Sequence, residues 1–239
     1  MIQELPWSQA MQAIKDSIEF DDFAAFRTHL EESLPYNSAS TRHRYAQTII
    51  KLFFPSRVLD SYPGQAWYAY RDSRLLQDLM RYQFLTQEPT VARFVVAHVI
   101  SMVPGSVLER EILERFIQDV DLNGRPKMVE RLGSAIRRLG FVVRQHRQDV
   151  AAQLRPSSTA FLVLLHHLFA PTPRIVTLRE VLADAFWQYL GFRETDTIRR
   201  MLHEANACGL IASYATIDQL EQITTCHTLN EWFEHRLRL

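Results

Sequence analysis

The sequence has few glycines, few cysteines and no long apolar run. Only 7 of its 239 residues are glycine and only 2 are cysteine, so little of the chain suits open loops and no disulfide framework is expected. Cys208 and Cys226 fit two reduced thiols of a cytoplasmic protein. The longest apolar stretches, residues 94–103 and 161–170, span roughly ten residues each, whereas a membrane helix needs about twenty. The N-terminus also lacks the pattern of a secretory signal, so we expect a cytoplasmic protein without a membrane segment.

Motifs of catalysis and cofactor binding are missing as well. The sequence contains no GxGxxG, no GxxxxGKS/T and no GxSxG pattern. His166 and His167 are neighbours that would point about 100° apart on a helix, which is a poor arrangement for shared metal ligation. We therefore expect a protein that is not an enzyme and that binds neither a cofactor nor a metal.

The net charge is zero, but the charges are separated along the chain. Residues 125–147 carry seven Lys and Arg side chains against Glu130 alone, whereas residues 1–35 carry seven acidic side chains against two basic ones. Such a separation predicts a basic face and an acidic face. A nucleic acid thus remains a possible partner of a neutral chain.

Apolar residues recur at spacings of three and four over most of the chain, which predicts a mostly helical fold. We assign the fold class as all-α, with a small C-terminal β wing at residues 210–214 and 222–226. A proline and serine break near Arg155 divides the chain into an N-terminal helical domain, 1–155, and a C-terminal winged-helix-like domain, 156–239. The predicted helices are residues 9–17, 21–33, 40–54, 71–84, 90–102, 107–120, 128–143, 159–169, 178–190, 196–207 and 228–237, the last with a capping box of Thr228 and Glu231.

Two stretches, residues 104–143 and 173–211, repeat one pattern. Each predicts an amphipathic helix, a short turn, a second helix with arginines, and then a glycine among apolar residues, Gly140 in one and Gly209 in the other. This order is typical of a helix-turn-helix or winged-helix unit, whose second helix lies in a DNA groove. The pattern favours a nucleic-acid-binding protein.

The second helix of the first stretch separates apolar from basic residues. Its apolar side chains fall on one face at about 100° per residue, and Lys127, Arg131, Ser134 and Arg138 form a second stripe. Few acidic residues are near enough in sequence to neutralise the basic ones, which favours contact with phosphates over an ordinary solvated helix face. The candidate DNA-binding residues of this stretch are Arg125, Lys127, Arg131, Arg137, Arg138 and Arg144.

Two other helices carry candidate DNA contacts. Arginine and asparagine side chains can make bidentate contacts to base edges, although a packed helix hairpin or a solvated face would explain the same residues. Residues 213–222 contain neither glycine nor a basic residue, so we do not expect that wing to enter a groove. The candidates are Arg199, Arg200, His203 and Asn206 on the helix at 196–207, and Arg42, Arg44 and Lys51 on the helix at 40–54.

Residues 119–130 match the twelve-residue calcium-loop pattern between two predicted helices. Pro126, Arg125 and Lys127 argue against a bound cation, because they remove a backbone N–H and add positive charge beside the site. We interpret the segment as a turn between helices, and calcium binding as the alternative.

Several short segments follow one another in a characteristic order between residues 38 and 223. They are Ser40-Thr-Arg-His-Arg-Tyr, Asp72-Ser-Arg-Leu-Leu-Gln-Asp-Leu-Met, Phe94-Val-Val, Phe116, Met128-Val-Glu-Arg-Leu-Gly, Leu139-Gly-Phe, Phe161-Leu-Val-Leu-Leu-His-His-Leu-Phe and Thr197-Ile-Arg-Arg-Met-Leu. This order resembles the BrxA family of BREX phage-defence systems. The resemblance implies a small helical protein with winged-helix-like parts that binds DNA and serves as a non-enzymatic accessory beside a methyltransferase and an ATPase.

These observations favour a double-stranded-DNA-binding accessory protein of a prokaryotic defence system, with other proteins of that system as further partners. Two alternatives remain. A helical adaptor would use the acidic N-terminal face and apolar grooves to recruit proteins, and a winged-helix transcription regulator would require a symmetric dimer and a specific operator.

Overall fold

The structure, a computed structural model, describes Ile2, Glu4 and residues 6–120 and 126–239. This part of the chain is mostly helical, as predicted, with thirteen α-helices. The helices are α1 (Trp7–Ser17), α2 (Phe23–Ser33), α3 (Ala39–Phe53), α4 (Tyr62–Tyr70), α5 (Ser73–Gln87), α6 (Pro89–Phe94), α7 (Arg110–Val120), α8 (Pro126–Arg138), α9 (Ser158–Leu168), α10 (Leu178–Ala183), α11 (Phe186–Leu190), α12 (Thr195–Ala207) and α13 (Leu229–Glu234), and a π-helical turn (Val95–Val99) continues α6.

The all-α assignment needs one correction, because the chain also forms two three-stranded antiparallel sheets. The first sheet has the order β1-β3-β2 and the second the order β4-β6-β5. The C-terminal hairpin was predicted, and the other strands were not. The strands are β1 (Val107–Leu108), β2 (Val142–Gln145), β3 (Gln148–Ala151), β4 (Arg174–Thr177), β5 (Ser213–Ile217) and β6 (Leu220–Thr225).

Four of the N-terminal helices, α2 to α5, begin at residues whose side chains accept hydrogen bonds from free backbone N–H groups of the first turn. Asp22, Ser38, Ser61 and Asp72 each cap the helix that follows. The helix α4 was missed at the sequence level, since its cap is followed by Pro63, a residue that otherwise reads as a break. The helix α5 is buried over most of its length and is contacted by α1, α3, α4, α6, α9 and α11.

Two parts of the chain share one order of elements, and we call them the first unit (residues 89–151) and the second unit (residues 158–225). Each runs helix, strand, helical segment, helix and β-hairpin, and in each the first strand pairs with the last strand of the hairpin. In the second unit, the segment before the last helix is split into α10 and α11. The predicted repeat is therefore visible in the topology.

One predicted helix stops before its expected end, and another is broken in the middle. The helix at 128–143 stops at Arg138, because Gly140 adopts a φ of 80° and Phe141 turns into the core, where it is 1% exposed. Val142 then starts β2. The helix at 178–190 is broken at Asp184, whose backbone is extended and whose carboxylate accepts a hydrogen bond from the N–H of Phe186.

The apolar core consists of two clusters that meet at α5. Leu76 and Met80 belong to the cluster of the N-terminal helices and the first unit, whereas Leu75 and Leu79 belong to the cluster of the second unit. Because one helix serves both clusters, residues from the N-terminal side of the predicted boundary near Arg155 help to form the core of the second unit.

A buried arginine on α5 bridges the two units. The guanidinium of Arg81 donates to the carbonyl oxygen of Leu139 in the first unit at 2.7 Å and to that of Leu190 in the second at 2.9 Å. Asp78 receives a third bond from Arg81 at 2.7 Å and also accepts from the N–H of Ser157. These bonds satisfy the free carbonyls at two helix ends and hold the two units against the same helix.

Candidate nucleic-acid interface

The helix α8 has one buried and one basic side, as its sequence pattern predicts. Its apolar side packs between α7 and the first sheet, while Lys127 and Arg138 are exposed and Ser134 is half-buried. The hydrogen bonds of the helix fix these side chains along one edge at intervals of three to four residues. The buried residues are Met128, Val129, Leu132, Gly133, Ala135 and Ile136.

The N-terminal segment and α3 border the basic stripe of α8. Arg131 donates to the carbonyl oxygen of Ile2 at 3.2 Å, and Ile2 itself is 1% exposed. Glu4 lies beside Arg44, Lys127 and Arg131 around a cavity of about 280 Å³. The structure thus brings together basic residues from two helices that the sequence placed about 85 residues apart, with two acidic side chains, Glu4 and Glu130, among them.

Arg44 also lies against an aromatic ring. Its guanidinium is 4.8 Å from the ring centre of Tyr45, which stacks on Tyr36. Burial, followed by the negative charge of Glu4, raises the pKa of Tyr45. The ring holds the arginine in place without neutralising its charge.

Asp149 on β3 neutralises part of the predicted basic surface. Its two carboxylate oxygens accept from Arg137 at 2.6 Å and from Arg144 at 3.2 Å. The prediction that almost no acidic residue lies near these arginines was wrong, because the hairpin folds Asp149 back onto α8. Two arginines share one carboxylate, so one positive charge remains.

The turn of the first hairpin adds basic residues that the sequence analysis did not place in the site. His146 and Arg147 are exposed and adopt φ values of 46° and 67°. A two-residue turn with both φ positive is the usual connection of a tight hairpin. The signal was missed because residues 128–143 were interpreted as one helix, which left no room for a strand before the turn.

The basic residues of α12 are arranged differently. Arg199 makes a forked ion pair with Glu221 on β6 at 3.1 Å and a second pair with Asp196 at 2.8 Å. The hydrogen bonds from Arg199 lower the pKa of Glu221. Arg199 is therefore held by two carboxylates, and the charge on this side of the second unit is balanced.

The remaining candidates of α12 are open to solvent. Arg200 and Asn206 are exposed, and His203 lies edge-on against Tyr214 with the ring centres 4.6 Å apart. They occupy the second unit and do not join the basic group around α8.

The α3 candidates divide into three environments. Arg42 is half-buried and donates to the carbonyl oxygen of Tyr36 at 2.9 Å, so it closes the turn before α3. Lys51 is exposed in the last turn of the helix. Arg44 alone of the three joins the group around α8.

Residues 121–125 lie outside the described part of the chain. They include Arg125 and five of the twelve residues of the loop for which calcium was the alternative interpretation, so both remain predictions. Among the described residues, no group of three or more His, Cys, Asp or Glu side chains is arranged to hold a metal ion.

Comparisons of the chain with protein-family models, with curated proteins and with solved structures find no match. Within the described ranges, no helix combines the length and the apolar character needed to cross a bilayer. Function must therefore be inferred from the charge and geometry of the two units.

Proposed function

We propose that both units are winged helices and that the first unit binds double-stranded DNA. A winged helix has the order helix, strand, helix, helix and hairpin, and the strand before the helix pair joins the hairpin in one small sheet. The element order and the sheet order of both units support this assignment. In such a fold α8 and α12 are the helices that would face a groove, and each hairpin is a wing.

The charge on the first unit supports DNA as its ligand. From α8 to the end of β3, residues 126–151, six Lys and Arg side chains stand against two acidic ones, an excess of four. Lys127, Arg138 and Arg147 are exposed and make no ion pair with a described residue. A cationic helix beside a cationic turn is the arrangement that carries the proposal, because it offers two rows of phosphate contacts on one unit.

The same surface favours backbone contacts over base recognition. Phosphate contacts position a protein on the duplex, and contacts to base edges supply sequence preference. The helix α8 has no Asn or Gln, and Arg131 and Arg137 are engaged with the Ile2 carbonyl and with Asp149. We infer binding with little sequence preference.

The cellular role that we propose follows from the resemblance to the BrxA family. In the cytoplasm, the chain would serve as a non-enzymatic accessory of a BREX-like phage-defence system, holding DNA for other proteins of that system. Its two units on one scaffold suit such a role, because one unit can bind DNA while the other remains free.

The experiment that tests DNA binding is a titration of a labelled duplex at two salt concentrations. If about four phosphates are neutralised, the logarithm of the binding constant should fall against the logarithm of salt with a slope of about −3.6. A duplex of scrambled sequence should bind equally well. No binding at micromolar protein, or a slope near zero, would contradict the proposal.

An adaptor function is the second candidate, and one cavity favours it. A groove of about 850 Å³ lies between the turn after α1, the segment before α4, and α13. Its walls include Phe20, Phe23 and Phe233, and its charged rim has Asp21, Asp60 and Glu234 against Arg57. An amphipathic segment with apolar anchors and flanking basic residues would fit it. If the DNA titration fails, a labelled Leu- and Lys-rich helical peptide should bind wild type, and Phe23→Glu should abolish that binding.

A further inference from the structure

The free edges of the two sheets differ in how they are protected against pairing with another strand. Proteins guard edge strands by making them very short or by placing charge or proline on them. The edge β1 has only two residues, β2 carries Arg144, and β4 begins at Arg174 directly after Pro173. The fourth edge, β5, has five residues, Ser213–Ile217, with no charged residue and no proline.

The hairpin geometry shows which backbone groups of β5 point away from the sheet. Asp218 and Gln219 form a two-residue turn with φ values of 48° and 66°, and Ile217 pairs with Leu220 across it. In such a hairpin, the residues flanking the turn exchange hydrogen bonds, and every second residue along the strand does the same. Ser213, Ala215 and Ile217 therefore bond to β6, and the backbone groups of Tyr214 and Thr216 point outward.

These outward backbone groups have no partner strand, because β5 lies at the edge of its sheet. Apart from the pairing with β6, no described residue forms a hydrogen bond with the backbone N–H or carbonyl of Tyr214 or Thr216. The side chains beside them are also open, because Ala215, Thr216 and Ile217 are exposed, with Ile217 at 52%. A strand with alternating free donors and acceptors is a template for a further antiparallel strand.

We propose that β5 pairs antiparallel with β5 of a second copy of this chain, so that two three-stranded sheets join into one of six strands. The symmetric register is centred on Ala215. Tyr214 of one copy then exchanges two backbone hydrogen bonds with Thr216 of the other, and the reverse pair supplies two more. The free groups of both strands are used in full.

The residues of β5 indicate that the strand pairing with its free edge is β5 of a second copy. No charged side chain lies on the strand, so two copies do not repel each other. The register places the small Ala215 side chain opposite itself at the axis, and Ile217 opposite Ser213 of the other copy. An edge that is neutral and compatible with itself forms a two-fold contact in which the same residues serve both sides.

The contact is small, and this sets the expected strength. A strand of this length extends about 17 Å. The surface that each copy buries along one such strand is well below the roughly 800 Å² per partner of a standard stable interface, so we expect a dissociation constant in the micromolar range. The dimer should form and dissociate with concentration.

Sedimentation of the full chain without DNA tests the pairing independently of the DNA-binding proposal. Wild type should pass from monomer to dimer as its concentration rises through the micromolar range. Thr216→Pro should stay monomeric, because it removes an outward N–H but no bond to β6, and proline is tolerated on an edge strand. The matched control is Ile175→Lys, which adds charge at an exposed position of β4 on the same sheet and should still dimerise. The proposal would be overturned if wild type were a monomer at all concentrations. It would also be overturned if Ile175→Lys were a monomer while wild type and Thr216→Pro formed dimers.

A cross-link gives a second measurement if the proline variant fails to fold. In the proposed register, the two Ala215 Cα atoms form a pair without mutual hydrogen bonds, at about 4.5 Å, within the range of a disulfide. In a Cys208→Ser and Cys226→Ser background, Ala215→Cys should give a covalent dimer on mild oxidation. Ile175→Cys, at another exposed position of the same sheet, should give none. Equal cross-linking of the two variants would show random collision and would contradict the register.

Discussion

The two units share an element order and a sheet order, yet their functional surfaces differ in charge. Residues 126–151 of the first unit have six basic against two acidic side chains, whereas residues 195–225 of the second have two basic against four acidic ones. The hairpin turn of the first is His146-Arg147, and that of the second is Asp218-Gln219 between two exposed apolar residues. One backbone plan thus carries a net basic surface in one unit and an uncharged sheet edge in the other.

The largest expected effect is the loss of the bridge at Arg81, because Arg81 donates hydrogen bonds to both units. Arg81→Met should lower the free energy of unfolding by about 3–5 kcal/mol, since Asp78 would stay buried without its cation. Both side chains of the pair are less than a tenth exposed, at 7% and 5%. Urea denaturation measures the effect, and we expect both units to unfold in one transition at lower urea.

The control for Arg81 is Arg110→Met, which breaks an exposed ion pair with Glu114 on α7. Exposed pairs contribute about 0.5 kcal/mol or less, so this variant should unfold like wild type. If Arg81→Met were equally stable, the bridge would contribute nothing, and the two units would be held together by apolar packing alone.

The units should also differ in their response to acid. His166 in the second unit is 1% exposed, and its burial lowers its pKa to about 4, whereas His98 and His146 of the first unit are half-buried and exposed. The unfolded chain takes up this proton near pH 6.5 and the folded chain only near pH 4. Stability should therefore be complete above about pH 6.5 and fall by about 3 kcal/mol as the pH drops to 4.

His166→Phe is the variant that isolates this effect. The phenyl ring can still pack against Trp232, whose ring centre lies 4.8 Å from that of the histidine, but it takes up no proton. Thermal melting at pH 7 and pH 4.5 measures the difference, and the acid-induced loss should be smaller in the variant. The same loss in both proteins would place the acid sensitivity elsewhere.

Charge reversal on the first unit should abolish most DNA binding. Lys127→Glu combined with Arg138→Glu should weaken binding about 100-fold, or about 2.7 kcal/mol, and reduce the salt slope by about two. Both side chains are exposed, so the fold should remain intact, and circular dichroism can check this. Fluorescence anisotropy with a labelled duplex gives the affinity.

The matched control adds negative charge to α12 of the second unit. Arg200→Glu with Asn206→Glu, at two exposed positions of α12, should change affinity by less than about threefold, because the charge there is already balanced. Equal losses in the two double variants would show that both units contact DNA and would remove the division between them.

The smallest expected effect tests whether neutralisation of Arg199 by Glu221 is the only reason that the second unit does not bind DNA. Glu221→Gln removes the carboxylate that holds Arg199, leaving Asp196 as its partner. We expect DNA affinity to rise no more than about threefold, with a salt slope that steepens by less than one unit. A tenfold rise in the same anisotropy assay would indicate that the second unit needs only one free arginine to bind DNA.

Much of the helical part of the fold follows from the sequence. The spacing of Leu132, Ala135 and Ile136 assigns the buried side of α8, and Thr228 with Glu231 assigns the start of α13. These features depend on residues three or four positions apart, which local hydrogen bonds bring together in any helix. The basic stripe of α8 was predictable for the same reason.

The strands and the state of each arginine were not predictable in this way. The strand β2 forms because β3 lies beside it, and β3 because β1 lies on its other side, so no one segment carries the pattern of the sheet. Asp149 reaches Arg137 across 12 residues, and Glu221 reaches Arg199 across 22.

Local sequence patterns are sufficient to predict most of the helices, their apolar faces and the concentration of positive charge near α8. Long-range contacts determine which of those charges remain free, which sheet edge lies open, and that one arginine of α5 joins both units. The two sets of features differ in the range of the interactions that produce them. Helical periodicity is fixed by neighbours within one turn, whereas ion pairs, strand partners and buried bridges depend on residues that only the folded chain brings within a few ångströms.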